Sequence, residues 1–164
     1  MIPDRKNQDA LEAARDLCMH GIALGKEGKR EAALVQYASV IAQFGNEQDT
    51  EFLKVLAAAM FNTGTTLAAL DRSEESVIAY DALIKKFQRH VDPTFQLYVV
   101  KAMMNKAYRL NALLKNDDAI AAYEAVIADY GTSQDPETVA HLNSVKSFLA
   151  ERRAVLDARA QSSA

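Results

Sequence analysis

Residues 74–87 read EESVIAYDALIKKF, and the same design stands 43 residues earlier as EAALVQYASVIAQF at 31–44 and 43 residues later as DDAIAAYEAVIADY at 117–130. In register, the columns are Glu31, Glu74 and Asp117; Leu34, Val77 and Ile120; Tyr37, Tyr80 and Tyr123; Ile41, Ile84 and Ile127; and Phe44, Phe87 and Tyr130. Within each copy the apolar columns step by three, four and three residues, the stripe of an amphipathic helix and not the alternation of a strand. This is helix B. A fixed period of about 20 to 50 residues signals a solenoid, whose units bury their apolar faces only by stacking.

Upstream of each B helix a second set of columns appears: Leu17, Met60 and Met103; Gly21, Gly64 and Ala107; Leu24, Leu67 and Leu110. These are spaced four and three and define helix A. The connections Glu27 to Arg30, Leu70 to Ser73 and Leu113 to Asn116 leave room only for a tight turn, so A and B form an antiparallel hairpin. Asp49, Asp92 and Asp135 share one register and precede Thr50, Pro93 and Pro136. An aspartate there accepts from the unpaired NH groups of the first turn, and proline at the first position has no NH to leave unpaired. Helix A is therefore expected over 50–69 and 93–112. Gly45 and Gly131 suit a left-handed residue ending helix B, with Gln88 in that place in the middle copy. The small residues Gly21, Gly64 and Ala107, facing Ala33, Ser76 and Ala119, let the helices approach, and the tyrosines and the 41/84/127 isoleucines fill the space beside them.

The two ends read differently. Gln8 to Lys26 is a first helix A without the aspartate cap. Pro136 to Ala158, with Leu142, Val145, Leu149 and Leu156 among many charges, reads as a lone helix A covering the open end, and Ala160 to Ala164 are expected to fray.

Composition narrows the function classes. The chain has 164 residues, 49% of them hydrophobic and 25% charged, the balance of one ordinary globular domain. Nineteen Lys and Arg against 22 Asp and Glu give a net charge of −3, which argues against nucleic acid as the main partner. The start, Met1 to Asp9, lacks the apolar region of a signal peptide, and no uninterrupted run of about 18 apolar residues is present to span a bilayer. A cytoplasmic protein without membrane attachment is the expectation. Cys18 is the only cysteine, which rules out an intrachain disulfide, and it reads as a small apolar filler. His20, His90 and His141 fall at unrelated repeat positions and there is no glycine-rich phosphate loop, so no metal, cofactor or catalytic residue is expected. Glu74-Glu75 and Asp117-Asp118 sit where negative charge favours the start of a helix. Lys85, Lys86, Arg89 and His90 form one dense basic patch, read as solvated surface.

The order small residue, leucine, turn, small residue, tyrosine, aliphatic resembles the tetratricopeptide repeat over residues 13–131. The middle copy carries it as Met60, Gly64, Leu67, Ser76, Tyr80 and Leu83. The period is 43 where 34 is usual in that family, and the aspartate caps place the nine extra residues at the start of helix A. A leucine expected just before the glycine is replaced by His20, Thr63 and Lys106. An armadillo or HEAT-like stack has a period nearer 43 but leaves the glycine and tyrosine columns unexplained. The resemblance implies an all-α fold, a right-handed α-α superhelix in a single domain over 1–164. Its repeats span about 8–45, 49–88 and 92–131, and a capping helix spans 135–159.

It also implies binding of a peptide or helix from another protein on a concave surface of A helices. The side of A away from B carries Arg15, Met19 and Ile22 in copy one; Ala58, Phe61, Asn62 and Thr65 in copy two; and Lys101, Met104, Asn105 and Tyr108 in copy three. The terminal helix adds Ser144, Phe148 and Glu151. Large rings give anchoring area and side-chain amides pair with a peptide backbone, while Phe61 and Met104 equally suit packing between adjacent A helices. Asn62 with Lys101 resembles part of the carboxylate clamp of some family members, whose other positions are here Cys18, Ile22 and Asn105. Two other readings stay open. One is a self-associating scaffold, suggested by Phe95, Tyr98 and Phe148 as exposed apolar residues. The other is a piece of a longer repeat protein.

Overall fold

In the computed structural model, residues 5–162 are described, with side chains described through residue 154. Seven helices follow in order: α1 (Arg5–Lys26), α2 (Arg30–Phe44), α3 (Thr50–Ala69), α4 (Ser73–Phe87), α5 (Pro93–Ala112), α6 (Asn116–Tyr130) and α7 (Pro136–Ser162). The odd helices are A and the even ones B, and no strand occurs among the described residues. The expected bounds of α3 and α5 hold. The helix of α7 reaches Ser162, beyond the expected 159, while the side chain of Leu156 and residues 163–164 of the stretch expected to fray lie outside the described residues.

Helix starts and stops explain this regularity. Asp49 and Asp92 accept from the backbone NH of Glu51 and Thr94, each at 2.8 Å, and Asp135 from that of Thr138 at 2.8 Å. At the other end of each A helix the chain reverses through one repeated motif. Lys29 N–H donates to Leu24 O, Arg72 N–H to Leu67 O and Lys115 N–H to Leu110 O. Inside each of these bonds lies a shorter one, from Gly28, Asp71 and Leu114 to Gly25, Ala68 and Asn111. This is a Schellman ending. It requires a left-handed residue, and Gly28, Asp71 and Leu114 have φ of 79°, 58° and 60°. The expected left-handed glycines at the ends of helix B are not so, because Gly45 and Gly131 have φ near −60°, like Gln88. Reversal from B to A goes through an extended aspartate cap instead, and needs no positive φ.

The hairpin interior is set by glycine against tyrosine. A Cβ added at Gly21 would lie 2.5 Å from Cε1 of Tyr37, and one at Gly64 2.5 Å from Cε1 of Tyr80. The glycines therefore admit the tyrosine ring as well as the neighbouring helix. Ser76 fits the crossing because its hydroxyl donates to the Gly64 carbonyl at 2.8 Å. In the expected stripe of helix B the tyrosines and Phe87 are buried, and only the isoleucine column is displaced by one residue. Val40, Leu83 and Val126 are fully buried, while Ile41, Ile84 and Ile127 flank the core as partly buried residues.

Stacking uses the second face of helix A. Phe52 lies on Phe44 and Phe95 on Phe87, with ring centroids 5.5 and 5.1 Å apart. Phe95 is thus core rather than an exposed ring, and Tyr98 and Phe148 are packed against the core, which removes the motive for self-association through them. Two members of the basic patch are also structural. Lys86 donates to the Gly45 carbonyl at the end of α2 at 3.0 Å, and the His90 ring packs on Phe95 at 4.7 Å. Helix α3 alone, among the described residues, is long and apolar enough by composition to cross a bilayer. Its apolar residues are taken up by the hairpins on both sides.

Each A helix packs on its own B helix, on the preceding B helix and on the neighbouring A helices where these are present, whereas among the described residues α2 and α4 meet only through side chains that reach across, Lys86 to the Gly45 carbonyl and Arg72 to Glu31, and α1 does not reach α7. The array is open, and tighter on its A side. Its ends are polar. The column Phe52, Phe95 and Thr138 becomes Asp9 in α1; Leu56, Val99 and Leu142 become Ala13; Ala59, Ala102 and Val145 become Asp16. On α7, the face that would receive a B helix carries Asn143, Lys146, Ala150 and Arg153, all exposed. Neither end presents the apolar surface found inside the array.

Three outcomes follow from this architecture. Tyr80→Ala lowers the unfolding free energy by about 3–5 kcal/mol in denaturant titration, since the ring is buried on all sides. Leu114→Gly relieves a left-handed leucine and raises stability by about 1 kcal/mol, moving the melting temperature up by about 2–4 °C, whereas Gly28→Leu lowers it. The backbone NH groups they receive hold the Asp92 and Asp135 carboxyls below the usual carboxylate range. Their contribution is present above the unfolded-state pKa and disappears as pH falls through the lower folded-state value. Asp92→Ala and Asp135→Ala should accordingly lower the melting temperature at pH 7, with a difference from wild type that shrinks towards zero in strong acid.

Candidate functional site

The A face is built from three seams between consecutive A helices, and the sequence treats them differently. At the first, Arg15 of α1 donates to Glu51 of α3 at 2.8 Å; at the third, Lys101 of α5 donates to Glu137 of α7 at 2.5 Å. These pairs occupy the same two repeat positions. At the middle seam the positions hold Ala58 and Thr94, which form no ion pair. The middle seam thus lacks the ion pair that links the outer ones. At the first seam Arg15 and Glu51 themselves border a cleft of about 680 Å³ whose lining is otherwise Asn7, Gln8, Leu11, Glu12, Asp16 and Asp49, without a ring.

A cleft of about 380 Å³ lies at the middle seam, lined by Phe61, Asn62, Thr94, Leu97, Tyr98 and Lys101. Phe61 stands between the helices with its ring 5.8 Å from Tyr98 and 6.0 Å from Tyr80. Farther along the same seam, Thr65, Ala68, Tyr80, Asn105, Tyr108 and Arg109 line a smaller cleft of about 170 Å³. Asn105 donates from Nδ2 to the Tyr80 hydroxyl at 3.2 Å, so the repeat tyrosine turns its polar tip towards the A face. Burial pushes the Tyr80 phenol up, with the Asn105 bond acting the other way, and burial also raises Tyr98. Both remain neutral hydrogen-bonding groups at neutral pH.

Six of the residues read from the sequence as groove meet on this seam: Phe61, Asn62, Thr65, Lys101, Asn105 and Tyr108. Others do different work. Ile22 and Ala58 pack against the core between α1, α2 and α3, and Met104 packs into the larger core. Phe148 lies on Tyr123 at 4.5 Å, Arg15 is held by Glu51, and Met19 is 63% exposed on α1, away from the clefts. The clamp reading meets an obstacle, since Lys101, its one cation, is already paired with Glu137. Thr94, Leu97 and Tyr98 do not figure in the sequence reading of the groove. They sit on the first turns of α5, within the segment by which helix A exceeds the usual repeat, and the absent ion pair at positions 58 and 94 is the signal that marks them.

The hairpin that supplies half of this seam answers to a known pattern. The family model described as Tetratricopeptide repeat matches residues 58–90. That stretch takes in the second half of α3, the Schellman turn and α4, and with them Phe61, Asn62 and Thr65. The tetratricopeptide resemblance of the sequence is supported there, and with seven helices in an open array the fold is a helical-repeat solenoid. Tetratricopeptide repeats are protein–protein interaction modules and are generally non-catalytic. No curated protein matches the chain.

Proposed function

We propose that this protein is a non-catalytic adaptor or scaffold that holds a peptide or helical segment of another protein along its A helices, centred on the seam between α3 and α5. The observation that carries the reading is the lining of the middle-seam cleft, where rings and amides are left accessible and no ion pair spans positions 58 and 94. Phe61, Leu97 and Tyr98 offer an apolar anchoring surface, and Asn62 and Asn105 offer amide groups suited to a partner's backbone. Contact between neighbouring A helices supports reading this as the inner side of the array.

The same geometry supplies the test. Ala58→Arg together with Thr94→Glu places at the middle seam the charged pair found at the outer ones, without altering a ring of the core. Binding partners captured from the native extract and quantified by mass spectrometry should fall by about tenfold or more with this variant, while its helical circular dichroism remains that of a folded chain. Leu97→Glu should act likewise. Unchanged capture by both folded variants would sink the assignment of the seam.

A further inference from the structure

The A face carries an asymmetry of charge beyond the middle seam. On α5 and α7, Lys101, Lys106 and Arg153 are each held by a carboxylate, from Glu137, Asp81 and Glu124 respectively. Arg109 and Arg152 have no carboxylate partner among the described residues. They occupy the same repeat position, 43 residues apart, on neighbouring A helices. Each is backed by a ring, Arg109 over Tyr108 at 4.5 Å and Arg152 over Phe148 at 5.1 Å. Arg152 also donates to the Asn111 side chain of α5 at 2.8 Å, which fixes it at the height of Arg109's end of that helix. A guanidinium stacked on a ring keeps its fork of N–H donors available in the ring plane, the geometry that matches a carboxylate.

Building on the A-face reading above, we infer that the bound segment is an acidic peptide, with an Asp or Glu side chain held by Arg109 and Arg152 and an apolar side chain in the Phe61–Leu97–Tyr98 cleft. Two neighbouring arginines without a carboxylate partner among the described residues, on a chain of net charge −3, are the complement of a negative ligand. Glu151, exposed on the same face beside Arg152, leaves this corner with one net positive charge among the three, which suits a single carboxylate better than a doubly charged phosphate. Spacing is fixed as well. Arg109 lies eleven residues along α5 from Tyr98, about 16 Å at the helical rise, and an extended peptide covers that in about five residues.

A displayed library of random 12-residue peptides, panned on the full chain, provides the probe, with affinities of the synthetic binders read by fluorescence anisotropy. The expected binders carry an aromatic or large aliphatic residue about five positions from an Asp or Glu. Changing that acid to its amide, or using Arg109→Gln with Arg152→Gln, should each weaken binding about tenfold, with little further loss when both are combined, and affinity should fall as salt rises. Binders without an acid, or indifferent to the two arginine substitutions yet lost in the Ala58→Arg/Thr94→Glu variant, would overturn the acidic ligand and leave the seam intact. Binders strengthened through the same arginines by phosphoserine in place of the acid would replace carboxylate by phosphate. Binders indifferent to both sets of substitutions, or no binders at all, would overturn the groove itself.

Discussion

The contact on which the structure depends is a tyrosine ring lying where a side chain is missing. In the first two hairpins the ring of Tyr37 or Tyr80 occupies the space that any Cβ at Gly21 or Gly64 would take. The third hairpin places Ala107, fully buried, in that column, with Tyr123 opposite. This pairing fixes how close the two helices run and which way B is rotated, and so aims Val40, Leu83 and Val126 at the next A helix. Dispersion and apolar burial of this kind are strong only when density is high, which explains why the smallest and one of the largest residues are coupled in one repeat position.

From that lock the asymmetry of the array follows. Each inner A helix packs against three kinds of neighbour and each B helix packs its apolar face only against A helices, so apolar residues wrap around two faces of A but one of B. Solvent access to A is confined to a narrow strip. There, small changes of chemistry decide what lines the seam. An arginine or lysine stem reaching a glutamate on the next helix lays a charged pair across it; alanine opposite threonine leaves rings and amides as the lining. Ion pairs of this exposure add little to stability. Their consequence here is one of shape, through the space that the long side chains fill.

The hairpin and its order along the chain were legible in the sequence because they rest on short-range physics. Helix period, the aspartate caps and the tight turns depend on residues within one or two turns of each other, and the 43-residue register allowed three copies to be read together. Where local reasoning missed, another local motif had the same chemistry available. Glycine at 45 and 131 suggested a left-handed ending, but the Schellman geometry sits at 28, 71 and 114, where leucine and aspartate adopt it under the constraint of the antiparallel helix that follows. Likewise one column of B's apolar stripe lies a residue earlier than the pattern suggests, since Ile41, Ile84 and Ile127 are as apolar as the fully buried column beside them, while the tyrosine column is buried as expected.

By itself, then, the sequence determined a stack of helical hairpins with polar ends and an exposed side of helix A, since periodicity encodes which face is buried. It did not decide which of those A-face residues are accessible. Phe95 and Phe148 count as exposed rings in one dimension and are packed in three, and Lys101 counts as a free cation until Glu137, 36 residues away, is brought against it. Only the tertiary structure gathers Phe61, Leu97 and Tyr98 into one cleft and leaves Arg109 and Arg152 without carboxylates among the described residues. Both outcomes depend on side chains from different repeats meeting across a seam, and no periodicity within a single helix contains that information.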